Sequence, residues 1–177
     1  MSSKAKLAYS AVGVLLLAAM VAVFIRNLPG GEQPVVKNQP VVAQPTESNG
    51  VKLTMTPIPS TVDNGEIVIA LSDVIEKKMV GFTYSGETKS VEMLAYINPE
   101  GKVVTAIAMC EPCNSKSFHT ESGEIVCDNC GTRWNSTTLE GVSGSCQKYP
   151  PDPIPSRVVG NEVRISERLV ANWKMRI

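Results

Sequence analysis

The sequence predicts a mainly β protein: a small domain built on two cysteine knuckles, preceded by one N-terminal transmembrane helix and a proline-rich linker. Three observations carry that expectation. Four of the five cysteines stand in two C-x2-C pairs, Cys110-Glu-Pro-Cys113 and Cys127-Asp-Asn-Cys130, thirteen residues apart. Short runs of β-branched and aromatic residues, punctuated by glycine and proline, fill most of residues 65–177. Residues 7–25 form an uncharged, largely apolar run of nineteen.

The bulk numbers bound the function classes. A length of 177 residues allows one domain plus an appendage. With 17 basic and 17 acidic residues, the chain carries no electrostatic footprint for nucleic acid. Neither G-x-G-x-x-G nor G-x-x-x-x-G-K occurs, so nucleotide binding has no support. His119 is the single histidine, read here as an exposed loop residue, and nothing marks the partners that a catalytic array around it would need. Electron transfer or metal binding is therefore expected ahead of stand-alone catalysis. Aromatics make up only 5% of the chain, which implies a thin core that leans on a metal or on disulfides.

Taken in order, residues 1–26 read as a membrane anchor. As a helix the apolar run spans roughly 28 Å, close to the hydrocarbon thickness of a bilayer. The rival is a cleaved signal peptide, but Met20, Phe24 and Arg26 crowd the place where small residues should mark a cleavage site. Lys4 and Lys6 precede the run and only Arg26 closely follows it. That bias favours a cytoplasmic N-terminus and an extracytoplasmic cysteine domain. Residues 27–64 read as a flexible linker of proline, glycine and polar residues, with a minor option of an edge strand over 51–56.

Residues 65–177 read as the folded domain. Strands are expected over 66–71 and 79–84, with a polar turn or short helix between them. Residues 91–97 and 102–109 flank Asn98-Pro-Glu-Gly101, a hairpin signal whose second arm runs straight into Cys110. A further hairpin is expected over 157–165, then a helical turn at 166–169 and a closing strand over 173–177.

The cysteines carry the chemistry. Two knuckles can turn four sulfurs toward one point, which is how tetrahedral zinc and iron sites are built. Cys110, Cys113, Cys127 and Cys130 are therefore the expected metal ligands. Gly131 supplies the left-handed residue that a knuckle needs after its second cysteine. Trp134 is expected to shield the site from water. By spacing alone a structural zinc ribbon is slightly favoured. Disulfides fit less well, because five is odd and closely spaced pairs do not staple distant elements. Cys146, in Gly144-Ser-Cys, is either a small buried apolar residue or a further ligand, replacing one of the four or lying beside them.

From Ile67 onward the order of features resembles the FtrD-like family of membrane iron–sulfur proteins, associated with bacterial ferrous-iron uptake. The resemblance rests on Ala106-Ile-Ala-Met-Cys110, the first C-x2-C, Val126-Cys-Asp-Asn-Cys-Gly131, Trp134, Gly144-Ser-Cys146 and the closing hairpin. It implies an iron–sulfur cluster on Cys110, Cys113, Cys127 and Cys130, with Cys146 as a possible participant. It also implies electron transfer to a membrane permease or redox partner protein in iron transport. Two features depart from the family pattern: one membrane helix where relatives carry several, and Ala108 where an acidic residue often stands. The stretch 127–164 also resembles the second half of a Rieske domain. Rieske ligation needs two histidines, and this sequence has one.

Overall fold

The structure is a computed structural model that describes residues 33–45 and 50–177. All of them fall within one compact unit, Glu32–Ile177. The anchor expected over residues 1–26 lies outside the described residues. Among the described residues no helix is long and apolar enough to cross a membrane.

A one-turn helix, α1 (Pro34–Lys37), precedes two short strands, β1 (Leu53–Thr54) and β2 (Thr56–Pro57). Strands β3 (Thr61–Asp63) and β4 (Glu66–Ala70) lead through α2 (Leu71–Lys77) to β5 (Met79–Ser85), β6 (Ser90–Ile97) and β7 (Val103–Ile107). After a 3₁₀ turn at Glu111–Cys113 come β8 (Phe118–Glu121), β9 (Glu124–Cys127), β10 (Arg133–Asn135) and β11 (Gly141–Ser143). The chain closes with β12 (Asp152–Pro153), β13 (Ser156–Val159), β14 (Glu162–Ser166) and α3 (Glu167–Ala171). Among the described residues these strands form three sheets, ordered β1-β8-β9-β10-β11, β12-β7-β6-β5-β2 and β13-β14-β4-β3. The domain is mainly β, as expected.

The middle sheet separates two cores. Successive side chains of a strand point to opposite faces, so a strand covered on both faces is apolar throughout. Strand β7 is buried at every position. Its Val103 and Ile107, with Met93 and Ala95 of β6, pack against Ile67 and Ile69 of β4 and Val163 and Ile165 of β14. Val104 and Ala106, with Leu94 and Tyr96, face the other way, toward Phe118, Ile125 and Trp134. Each large aliphatic side chain so buried contributes about 1.5–3 kcal/mol. The hairpin between β6 and β7 closes as expected, with Gly101 at φ +77°. A Cβ there would stand 2.0 Å from the Ala43 carbonyl oxygen, so the position needs glycine for space as well as for conformation.

Two expectations are corrected here. Where it is described, the 27–64 stretch is built into the domain. Val36 is fully buried in the second core, Gln39 Nε2 donates to the Ile154 carbonyl at 2.8 Å, β1 pairs with β8, and β2 pairs in parallel with β5. Strands of two or three residues are too short to show a period, and Pro57 is tolerated because β2 lies at a sheet edge. The closing strand over 173–177 is also absent. That tail is held by individual hydrogen bonds to three other parts of the chain rather than by a ladder.

Candidate metal centre

Three segments bring cysteines to the edge of the second core. The first leaves β7. Cys110 N–H donates to the Ser115 carbonyl at 2.8 Å, and the amide of Cys113 returns to the Cys110 carbonyl at 3.2 Å. Pro112 suits the start of this 3₁₀ turn, and Asn114 ends it in the left-handed region at φ +55°. The second segment leaves β9: Gly131 N–H donates to the Cys127 carbonyl at 2.9 Å, and Gly131 takes φ +67° as expected. Amides of Asn129 and Cys130 point at the Cys127 sulfur, which is the knuckle arrangement. The third is the loop carrying Cys146.

Thr132 ties the second and third segments together. It is fully buried, and its Oγ1 accepts from the Cys146 N–H at 3.2 Å and lies 3.2 Å from Cys130 Sγ. Gly144, at φ +98°, lets the two backbones meet, since a Cβ there would come within 2.6 Å of Thr132 Cα. Sequence reading missed Thr132, whose role depends on a contact across fourteen residues. The one local hint was the glycine before Cys146.

All five cysteines converge, and none is in a disulfide. Cys110 Sγ stands 3.9 Å from Cys130 Sγ, Cys130 3.8 Å from Cys146, and Cys113 3.6 Å from Cys127. The sulfurs of Cys110, Cys113, Cys130 and Cys146 all lie within 4.8 Å of one another, and Cys127 joins them through Cys113. The four sulfurs in mutual reach are therefore not the four expected from the paired spacing: Cys146 stands in the group where Cys127 was expected, and Cys127 lies beside it at Cys113. Cys110, Cys127 and Cys146 are buried, Cys113 is half-buried and Cys130 is exposed, so the group has an inner side and an outer side.

Electrostatics differ between the two sides. Burial pushes the Cys110 and Cys127 thiols up. Burial also pushes Cys130 up, but hydrogen bonds from the Thr132 hydroxyl and amide, and from Cys127 and Cys113, outweigh it and bring Cys130 down to about 6. The outer sulfur is thus the one readiest to be a thiolate, the form that binds metal. Trp134 is fully buried behind the site, with Nε1 donating to the Gln147 carbonyl at 3.0 Å and its ring centroid 6.4 Å from that of Phe118. It packs in the same core as Cys110, Cys127 and Cys146.

His119 is not the exposed loop residue expected. It lies on β8, is 8% exposed, and its Nδ1 stands 2.5 Å from Asp128 Oδ1. Asp128, beside Cys127, also accepts from the Ser117 hydroxyl. Burial pushes the Asp128 carboxyl up, but these two partners hold it below its ordinary value. His119 thus braces the second knuckle through Asp128.

Comparison with known proteins places the chain. No curated protein matches it. Among solved structures, the ferredoxin of Sphingomonas yanoikuyae B1 is similar at 19% identity, over 49% of this chain and 83% of that one, with a TM-score of 0.39. The model of the family described as membrane iron–sulfur containing protein, FtrD-like, matches residues 74–177, which include all five cysteines, Gly131, Thr132 and Trp134. The chain belongs to the FtrD-like family of membrane iron–sulfur containing proteins.

Proposed function

We propose that the domain is an iron–sulfur electron-transfer module held at a membrane, where it serves a redox partner or permease in metal uptake, iron above all. The observation that carries this reading is the convergence of five thiols, buried on one side and exposed on the other. An all-thiol donor set suits soft metal centres, and iron–sulfur clusters are held by cysteine thiolates. When bound, such a cluster takes up and releases single electrons.

The residues of the chain supply the rest. Cys110, Cys113, Cys127, Cys130 and Cys146 offer one more ligand than a four-sulfur site needs. Thr132 and the knuckle amides direct hydrogen bonds at the sulfurs, the means by which a protein tunes a cluster's potential. Trp134 and Phe118 exclude water from behind. The outer side, through Cys130 and Cys113, leaves a short path to a partner. The family's membrane description and the apolar run at 7–25 support a single-pass anchor, and Lys4 and Lys6 ahead of that run support an extracytoplasmic cysteine domain.

One observation favours a second reading. Within the group Cys110, Cys113, Cys130 and Cys146, the Cys110–Cys130 and Cys130–Cys146 separations of 3.9 and 3.8 Å match the edge of a tetrahedron with metal–sulfur bonds of about 2.3 Å, which is about 3.8 Å. A single tetrahedral metal, structural zinc above all, fits that spacing. The two readings separate on purification without oxygen. An iron–sulfur protein is brown, absorbs in the visible and becomes paramagnetic on one-electron reduction. A colourless chain with one stoichiometric zinc overturns the electron-transfer reading and leaves a membrane-tethered zinc module.

A further inference from the structure

We infer that the C-terminal segment, residues 173–177, is a strap that sets the geometry of the cysteine site, with Arg176 and Glu111 as its positioning pair. Glu111 sits between Cys110 and Cys113, and its side chain is 0% exposed. A buried carboxylate is costly unless it is paired and hydrogen-bonded. Arg176 meets both oxygens: its backbone N–H donates to Oε2 at 2.8 Å and its Nε to Oε1 at 2.6 Å.

The same guanidinium reaches the third cysteine segment. Its Nη2 donates to the Pro150 carbonyl at 2.7 Å, four residues past Cys146, and its Cζ lies 5.7 Å from the centre of the Tyr149 ring. Tyr149 in turn donates its N–H to the Cys146 carbonyl at 2.9 Å. One side chain therefore spans from the first cysteine turn to the loop of the fifth cysteine. Two further bonds fix the strap: Trp173 Nε1 to Asp152 Oδ2 and Lys89 Nζ to the Trp173 carbonyl, both 2.8 Å.

The consequence follows from charge and distance. Without Arg176 the Glu111 carboxylate is buried and unpaired, and its cheapest escape is to turn toward water. That movement carries the two flanking cysteines with it, while the Cys146 loop loses its grip on the turn. The planar fork of arginine suits this task, and a lysine reproduces the charge but not the two-sided reach. Arg176 acts on the site through Glu111 and Pro150 and touches no sulfur itself.

The test uses the full chain and two readouts: the rate of metal release to a chelator, and the rate at which iodoacetamide labels Cys146 in the reduced, metal-free protein, followed by peptide mass. Both are measured far below the unfolding midpoint. Cys146 is 5% exposed, so its labelling in the parent chain is slow. Arg176→Ala is expected to speed both rates about tenfold, the lower end of what loss of a partner behind a metal ligand costs. Arg176→Lys falls between, and Glu111→Gln with Arg176→Ala is milder than Arg176→Ala alone because no bare charge remains. A folded Arg176→Ala chain that melts earlier yet keeps both rates within about twofold of the parent overturns the proposal. If that variant does not fold, Arg176→Lys decides: unchanged Cys146 labelling overturns it, and faster labelling supports it. The release rate rests on the metal-site reading, whereas the labelling rate does not. A parent chain that binds no metal therefore sinks that reading without touching the strap.

Discussion

The two faces of the middle sheet hold cores of different kinds. One is filled by Ile67, Ile69, Phe82, Met93, Val163 and Ile165, ordinary large side chains pressed between two sheets. The other gives three of its buried positions to Cys110, Cys127 and Cys146, and two more to Ala106 of β7 and Ala108 just past its end. Small side chains bury less apolar area and so stabilise less at those positions. The first core has no thiol among its buried residues. The second sets Trp134, Tyr96 and Phe118, large fully buried rings, beside thiols that a metal would draw together under the proposed function.

Under the proposed function, removing the metal should act on the second core far more than on the first. Structural metal binding in small domains supplies about 10–16 kcal/mol when it drives folding outright, and this domain should lose part of that, because one core remains. After anaerobic chelation, amide hydrogen exchange should quicken sharply in β8, β9 and β10 while β4, β5 and β14 stay protected. Equal loss in both halves would show a single cooperative unit.

Paired truncations come next. Trp134→Ala and Phe82→Ala each remove a buried aromatic and should each cost about 3–5 kcal/mol in chemical denaturation. Only the first should alter metal retention and the spectrum of the centre, since only Trp134 packs behind the cysteines. A spectral change in both would mean that the two cores communicate through the sheet.

The smallest effect belongs to the outer sheet. The Arg157 guanidinium holds the Glu66 carboxyl below its ordinary value of 4.5, against a lesser opposing push from burial, and Arg164 adds to the lowering. A carboxyl depressed in the folded state stabilises above its unfolded value, and that contribution disappears as pH falls through the folded value. Acid unfolding of the Glu66→Gln chain should therefore lack a small loss of stability beginning near pH 4.5. The shape of the centre's spectrum at neutral pH should not move.

What could be read from the sequence follows the same division. Strands β4 to β7 and the β13–β14 hairpin were legible, because alternation and the turns around Gly101 and Gly160 are local signals. The four paired cysteines were legible by spacing, and Gly131 by the conformation a knuckle needs. Strands β1 and β2 were only a minor option over 51–56, because two residues at an edge carry no period and their pairing partners lie far along the chain; β3 was missed although its partner β4 follows directly across Asn64-Gly65. Thr132, His119 and the Glu111–Arg176 pair were hidden for a related reason. Each acts through contacts made only after folding, sixty-five residues apart in the last case. A lone Glu between two cysteines looks like surface until the C-terminus closes over it.

The proposed iron–sulfur cluster is open to test by X-ray absorption of the full chain, purified without oxygen. The spectrum should show signal at the iron edge, with sulfur neighbours at about the 2.3 Å typical of thiolate bonds and a second shell of iron. Signal at the zinc edge alone, with four sulfurs and no metal neighbour, would contradict that proposal.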